Sequence, residues 1–215
     1  MASHAPNVKV CGLTRLEDAQ LAQELGAWAL SMIFWKGTPR RVKPAEAERI
    51  AAAFKRASVE ICGVFVNSTL DEVARMADRV GLTMLQLHGE EGPAFCAEAH
   101  RRTGARVIKA KAVGDRGDVQ ALDAYREVDY HLVDARVPGL RGGTGQPVDL
   151  ELVRARRSPI PLILAGGLNP GNVAEAARAV HPFAVDTASG TEAEPGVKDP
   201  EKLRAFFEAL ESVPA

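Results

Sequence analysis

Apolar residues fall into short runs separated by amphipathic stretches, and this alternation continues along the chain. The runs predict strands at 8–11 (VKVC), 28–35 (WALSMIFW), 59–66 (VEICGVFV), 83–88 (TMLQLH), 105–110 (ARVIKA), 129–134 (DYHLVD), 160–165 (IPLILA) and 183–188 (FAVDTA). Most are rich in Val, Ile or Leu, as parallel strands buried on both faces are. Helical patterns lie between them. Thr14 with Glu17 reads as a capping box and Gly26 as a stop; Thr69, Glu72 and Gly81 repeat the device. Pro44, Pro170 and Pro200 are expected at first helical positions. Further helices are predicted in 91–104 and 199–211, with weaker signals at 115–126 and 149–157. Eight strand–helix pairs in 215 residues predict a single (β/α)8 barrel domain spanning 1–215. A doubly wound open sheet is the structural alternative, because periodicity alone does not close a ring.

Composition narrows the function. At 46% hydrophobic, the chain can bury one sizeable core but not two comfortable ones. A formal net charge of −1 gives no electrostatic case for nucleic acid or an anionic membrane. No apolar run is long enough to span a bilayer, and MASHAPN lacks the basic-then-apolar pattern of a secretory signal. Cys11, Cys62 and Cys96 are an odd, scattered set without a CxxC pair. They form neither a disulfide framework nor a zinc site, which points to the cytoplasm.

Barrel enzymes carry their chemistry at the C-terminal ends of the strands. Those ends hold Cys11, Arg40 in the second loop, Asn67, His88, Asp134, Gly166–Gly167 and Ser189–Gly190. Gly166, Gly167, Ser189 and Gly190 fall in the seventh and eighth loops, where backbone N–H groups of this fold bind phosphate. A tight turn is the competing reason for any one of these glycines. Gly142 and Gly143, in RGGTGQ after strand six, are counted with the phosphate group; a mobile loop closing over substrate and ordinary flexibility are the equally weighted alternatives. Cys62, inside a strand, and Cys96, on a helix, read as small buried hydrophobes. Cys11 sits at the mouth, and alternation puts Lys9 on its side, where an ammonium favours the thiolate. Asp134 lies roughly across the ring; a cap or turn role is its alternative. A thiol base and a carboxylic acid on either side of a sugar phosphate suit isomerisation. Lys9 and Asp186, on neighbouring first and last strands, are expected to form a buried ion pair.

The stretches VKVCGLT, GVFVN, LQLHGEE, VIKA, LVDA with GGTG, LAGGLNPGNV and FAVDTASGTEAEPGVKD closely resemble the N-(5'-phosphoribosyl)anthranilate isomerase family, from residue 8 to about 199. The resemblance implies an Amadori rearrangement of an aminoaldose phosphate, with Cys11 as general base and Asp134 as general acid. It implies that Arg40 binds the anthranilate carboxylate and that the glycine loops bind phosphate. Lys9, Arg40, His88 and Asp186 are grouped as substrate-binding candidates. No metal or organic cofactor is implied, because the substrate nitrogen serves as electron sink. The expected partner is the small-molecule substrate alone, with the protein a monomer or homodimer. The stretch SMIFWKGTPRR departs from the family's Gly-Phe-Ile-Phe-Tyr-Pro-Lys-Ser-Pro-Arg-Tyr: Ser31, Met32, Trp35, Lys36 and Gly37 differ, and Arg41 replaces an aromatic residue. The loop over the anthranilate ring is therefore expected to differ in shape. Rival readings are a histidine-pathway isomerase, which would carry an aspartate in place of Cys11, a non-catalytic phosphate-binding barrel, and a thiol redox protein, which would need a resolving cysteine.

Overall fold

The computed structural model describes residues 5–135 and 149–213. Eight strands alternate with helices: β1 (Asn7–Cys11), β2 (Ala29–Ile33), β3 (Glu60–Phe65), β4 (Met84–Leu87), β5 (Arg106–Val113), β6 (Tyr130–Ala135), β7 (Leu162–Leu164) and β8 (Ala184–Thr187). Each pairs in parallel with the next, and β1 also pairs with β8, so the sheet is a closed barrel rather than an open one. Closure leaves no strand edge in the ring. The helices are α1 (Leu16–Glu24), α2 (Pro44–Ala53), α3 (Leu70–Val80), α4 (Pro93–Thr103), α5 (Arg116–Ala121), α6 (Leu150–Arg154), α7 (Val173–Val180) and α8 (Pro200–Glu211). Among the described residues no helix is long and apolar enough to cross a membrane.

Strand alternation produces two cores. Ala29, Met84, Ile108, Leu132, Ile163 and Ala184 fill the barrel with interleaved small and large side chains. Trp28, Tyr130 and Phe183, with ring centroids 5.1–5.3 Å apart, join the N-terminal ends of β2, β6 and β8. The larger core lies outside the ring, where Val10, Leu30, Leu85 and Val133 meet apolar helix faces such as Val73, Ala77 and Val80 of α3. Cys62 belongs to the inner core and Cys96 to the outer one, both fully buried.

Several helix signals act as expected. Thr69 and Glu72 form a reciprocal capping box, and α3 ends on Gly81 at φ 74°. Pro44 and Pro200 occupy the first turns of α2 and α8, and Asp199 caps α8 by accepting from Glu201 and Lys202 N–H. Two expectations need correction. Thr14 is not an N-cap: Arg15 holds that position without a side-chain cap, and the Thr14 hydroxyl donates to the Gly196 carbonyl at 2.5 Å. Pro170 does not open α7, which begins at Val173. Asn169 Oδ1 instead accepts from Gly171 N, and Asn172 Oδ1 from Asn169 N, both at 2.8 Å, so side-chain turns occupy the backbone there.

A hairpin, β9 (Glu192–Glu194) and β10 (Val197–Lys198), lies between β8 and α8. The sequence carried its signal in Pro195–Gly196, with Gly196 at φ 84°. Thr14 ties this hairpin to the loop after β1.

The Thr69 cap gives a local test of the helix reading. Thr69→Ala should lower stability by about 1 kcal/mol while leaving activity intact. Urea unfolding measures this, and an unchanged midpoint would contradict the cap.

Candidate active site

The C-terminal ends of the strands surround a cleft of about 570 Å³, open to solvent, lined by Cys11, Ile33, Trp35, Thr38, Arg40, Val64, Val66, Gln86, His88, Asp134, Asp186 and Ala188. Cys11, Asp134, Arg40, His88 and Asp186 therefore share one wall system although they come from five strands or loops.

Cys11 ends β1, where its register partner on β2 is Ser31. The thiol donates to Ser31 Oγ at 3.7 Å, with both groups buried. Two residues earlier, Lys9 lies opposite Asp186 in the β1–β8 register, and its ammonium donates to Asp186 Oδ1 at 2.8 Å. This is the expected ion pair. Lys9 is fully buried and is not on the cleft wall, whereas Asp186 is. Burial, the largest single influence, would lower the Lys9 pKa, but the Asp186 charge and hydrogen bond together with Cys11 and Cys62 outweigh it and raise it well above the ordinary lysine value. Burial likewise pushes the Cys11 thiol up; Lys9 pulls it down, but not far enough, and Asp186 adds to the rise. The ammonium acts on the thiol in the expected direction without making thiolate the resting form. Ser31 also lowers the thiol pKa. Sequence reading had marked Ser31 only as a departure from the family pattern; strand pairing is what brings it to Cys11.

Across the cleft, Asp134 Oδ2 lies 3.8 Å from His88 Nε2. Gln86 Nε2 lies 3.1 Å from His88 Nδ1. With the Gln86 amide donating to Nδ1, the neutral ring carries its proton on Nε2, toward Asp134. Alternation along β4 puts Gln86 and His88 on the same inner side.

Arg40 reaches the cleft from the β2–α2 loop, while Arg41 is exposed and forms a bridge with Ile33. The Arg40 guanidinium makes a forked ion pair with buried Glu192 of β9, through Nε at 3.0 Å and Nη2 at 2.8 Å. Trp35 lines the cleft and packs on Gly37: a Cβ there would come within 2.2 Å of the indole. The altered loop thus combines an aromatic wall with a residue small enough to lie beneath it.

The seventh and eighth loops meet each other. A Cβ on Gly190 would lie 1.9 Å from the Leu168 carbonyl oxygen, so close backbone approach requires glycine there. Gly166 and Gly167 have φ of 91° and 62°, and Asn172 Nδ2 donates to the Gly167 carbonyl at 3.0 Å. Ser189 opens a single 3₁₀ turn. None of these four residues is on the cleft wall; Ser189 and Gly190 directly follow Ala188, which is. Gly142 and Gly143 lie outside the described residues. Cys62 and Cys96 match their structural reading: burial pushes both thiols up to about 11.

Sequence reading also missed Glu91. It accepts from Asn67 N at 2.7 Å, Gly89 N at 2.8 Å and buried Lys109 Nζ at 2.9 Å, joining the loops after β3 and β4. Gly89 is two residues away, but Lys109 and Asn67 are 18 and 24 residues away, so no local motif marks the cluster.

Comparison with known proteins places this geometry among relatives. A family profile described as N-(5'phosphoribosyl)anthranilate (PRA) isomerase matches residues 8–209. The N-(5'-phosphoribosyl)anthranilate isomerase of Citrifermentans bemidjiense is 46% identical over 200 residues, covering 93% of this chain and 94% of the relative. That of Azotobacter vinelandii is also 46% identical, with the same coverage. The crystal structure of phosphoribosyl anthranilate isomerase from Thermotoga maritima superimposes with a TM-score of 0.87 at 37% identity, covering 96% of this chain and 98% of that one. A phosphoribosyl anthranilate isomerase in complex with reduced 1-(o-carboxyphenylamino)-1-deoxyribulose 5-phosphate matches with a TM-score of 0.84 at 36% identity, with the same coverage.

The buried pair beneath the cleft yields a stability prediction. Lys9→Met strands the Asp186 charge and should cost about 3–5 kcal/mol. Arg101→Ala, which removes an exposed pair with Glu98, should stay within about 0.5 kcal/mol. Chemical denaturation compares them, and similar midpoints would show that the Lys9 pair does not carry this weight.

Proposed function

Since the chain belongs to the N-(5'-phosphoribosyl)anthranilate isomerase family, we propose that Cys11 is its general base and Asp134 its general acid. The protein is an enzyme, an aldose–ketose isomerase of tryptophan biosynthesis. Its reaction converts N-(5'-phosphoribosyl)anthranilate to 1-(2-carboxyphenylamino)-1-deoxyribulose 5-phosphate. The observation that supports the assignment is that a thiol and a carboxyl from β1 and β6 line one cleft together with an arginine.

In this reading Asp134 protonates the furanose ring oxygen, and the substrate nitrogen drives the ring open to a Schiff base. Cys11 then removes the C2' proton, and the enolamine tautomerises to the ketone. The resting thiol is held protonated by burial. The cationic Schiff base forms beside it and favours the thiolate at the step that needs it. His88 keeps Asp134 in place on one side, and Ser31 orients the sulfur on the other. Arg40 holds the anthranilate carboxylate, and Trp35 flanks the aromatic ring. The phosphate lies against the adjacent loops carrying Gly166, Gly167, Ser189 and Gly190. Lys9 contributes from beneath the cleft through Asp186, without substrate contact. The working location is the cytoplasm, and the protein acts on its small-molecule substrate as a monomer or homodimer.

The activity is tested by the decay of substrate anthranilate fluorescence on adding enzyme; an unchanged signal, with turnover of the histidine-pathway aminoaldose phosphate instead, would overturn the substrate assignment. The residue roles are tested separately. Cys11→Ser and Asp134→Asn should each lower kcat by ~10²–10⁴-fold with little change in KM. Cys62→Ser should affect stability and leave kcat near wild type. Near-normal turnover in either of the first two variants would remove that residue from the mechanism.

A further inference from the structure

Glu192 has no place in the chemistry above, yet it is buried with its carboxylate against Arg40. Its side chain is 4% exposed and that of Arg40 13%. Burying a carboxylate beside a substrate-binding cation is costly unless the pair is well bonded, and it opposes binding of a second anion. Three observations offset that cost and give the arrangement a direction.

First, the fork is specific. Glu192 takes the Nε and Nη2 edge of the guanidinium, and none of its three contacts engages Nη1. A planar guanidinium can hold one carboxylate on each of two edges. Second, the charges do not cancel. Lys198 Nζ lies 3.6 Å from Glu192 Oε1 and donates to the Ala188 carbonyl at 2.8 Å. Burial lowers the Lys198 pKa and the Glu192 charge opposes that fall; while Lys198 is protonated, the Lys198–Glu192–Arg40 group carries two positive charges and one negative, which leaves one for an incoming anion. Third, the group is anchored from outside the cleft. Lys202 Nζ donates to the Glu192 carbonyl at 2.8 Å, and the Lys198 N–H donates to Asp18 at 3.0 Å. A Cβ on Gly12, the residue after Cys11, would lie 3.1 Å from Arg40 Cδ and 3.5 Å from Glu192 Oε1, so the pair packs over bare backbone beside the base.

We propose that Glu192 is a positioning residue that fixes the Arg40 guanidinium so that its other edge meets the substrate's aromatic carboxylate. The inference rests on the reading of Arg40 as the carboxylate anchor. The hairpin of β9 and β10 then acts as a bracket for specificity, setting the orientation of a side chain that belongs to a different loop. Because Glu192 acts through Arg40, its loss weakens recognition of the aromatic end and leaves the sugar phosphate alone.

The test is steady-state kinetics of Glu192→Gln, Arg40→Lys and the double variant, with ribulose 5-phosphate as an inhibitor lacking the aromatic carboxylate. Glu192→Gln should raise KM ~10-fold, the scale of one charge-assisted hydrogen bond lost. Its kcat should stay within ~3-fold of wild type, and inhibition by ribulose 5-phosphate should be unchanged. The double variant should be no worse than Arg40→Lys alone, since both act on one contact. Glu192→Asp, which keeps the charge one methylene further back, should restore part of the affinity; if Glu192→Gln loses its cooperative melt, Glu192→Asp carries the same test with a smaller rise in KM. A wild-type KM in the Glu192 variant beside a raised KM in Arg40→Lys would overturn the positioning role alone. Multiplicative effects in the double variant, or equal weakening of ribulose 5-phosphate, would overturn it in favour of a general structural role. A wild-type KM in Arg40→Lys would overturn the Arg40 assignment and this inference with it.

Discussion

The Lys9–Asp186 ion pair joins the first strand of the barrel to the last, and the organisation of the mouth depends on it. Parallel pairing of β1 and β8 closes the ring through the backbone. The pair adds a charged contact at the same register, in the layer just below Cys11. A lysine with no exposure is tolerated there only because a carboxylate lies 2.8 Å away. The same pair sets the field at the thiol. Lys9 and Asp186 act on Cys11 in opposite directions, so desolvation decides its resting state.

Similar pairs recur around the mouth, each with a cation and an anion from different elements. Lys109 of β5 meets Glu91, which gathers the third and fourth loops. Arg40 of the second loop meets Glu192 of the hairpin after β8. Loops would otherwise be the most mobile part of a barrel enzyme. Buried charge pairs of this kind are weak evidence for stability and better explained by the unique geometry they impose. Here they hold loops from separate strands in one arrangement around a cleft that must receive a dianionic end and a carboxylate. Close packing contributes to the same end: glycine at 190 lets two loops meet backbone to backbone, and glycine at 37 makes room for the Trp35 ring.

Much of this was legible from sequence because the barrel repeats one local pattern. Strand runs buried on both faces, and signals such as Thr69 with Glu72, are written in adjacent residues. Alternation placed Lys9 on the side of Cys11, and with barrel closure making the first and last strands neighbours it predicted the pairing with Asp186. The failures were also physical. Thr14 looked like a cap, but its hydroxyl is taken by Gly196, a partner 182 residues away. Asn169–Pro170 looked like a helix start, but asparagine side chains hold that backbone in a turn. Glu91, Glu192 and Ser31 were invisible as site residues because their partners are supplied by strand order and loop contacts. The hairpin at 192–198 also went unpredicted, although Pro195–Gly196 is a local turn signal.

Cys11 is a thiol held neutral by burial, with Lys9 restrained by Asp186 and the thiolate needed only once substrate is bound. Ultraviolet titration of thiolate absorbance in the free enzyme, taken as the difference from Cys11→Ser, tests this directly. Cys11 should show no thiolate at neutral pH and should titrate above the ordinary cysteine value. In Asp186→Asn, where the raising influence of that carboxylate is gone and Lys9 remains, the titration should move down. A wild-type thiolate already present at neutral pH, or a titration that Asp186→Asn leaves in place, would contradict it.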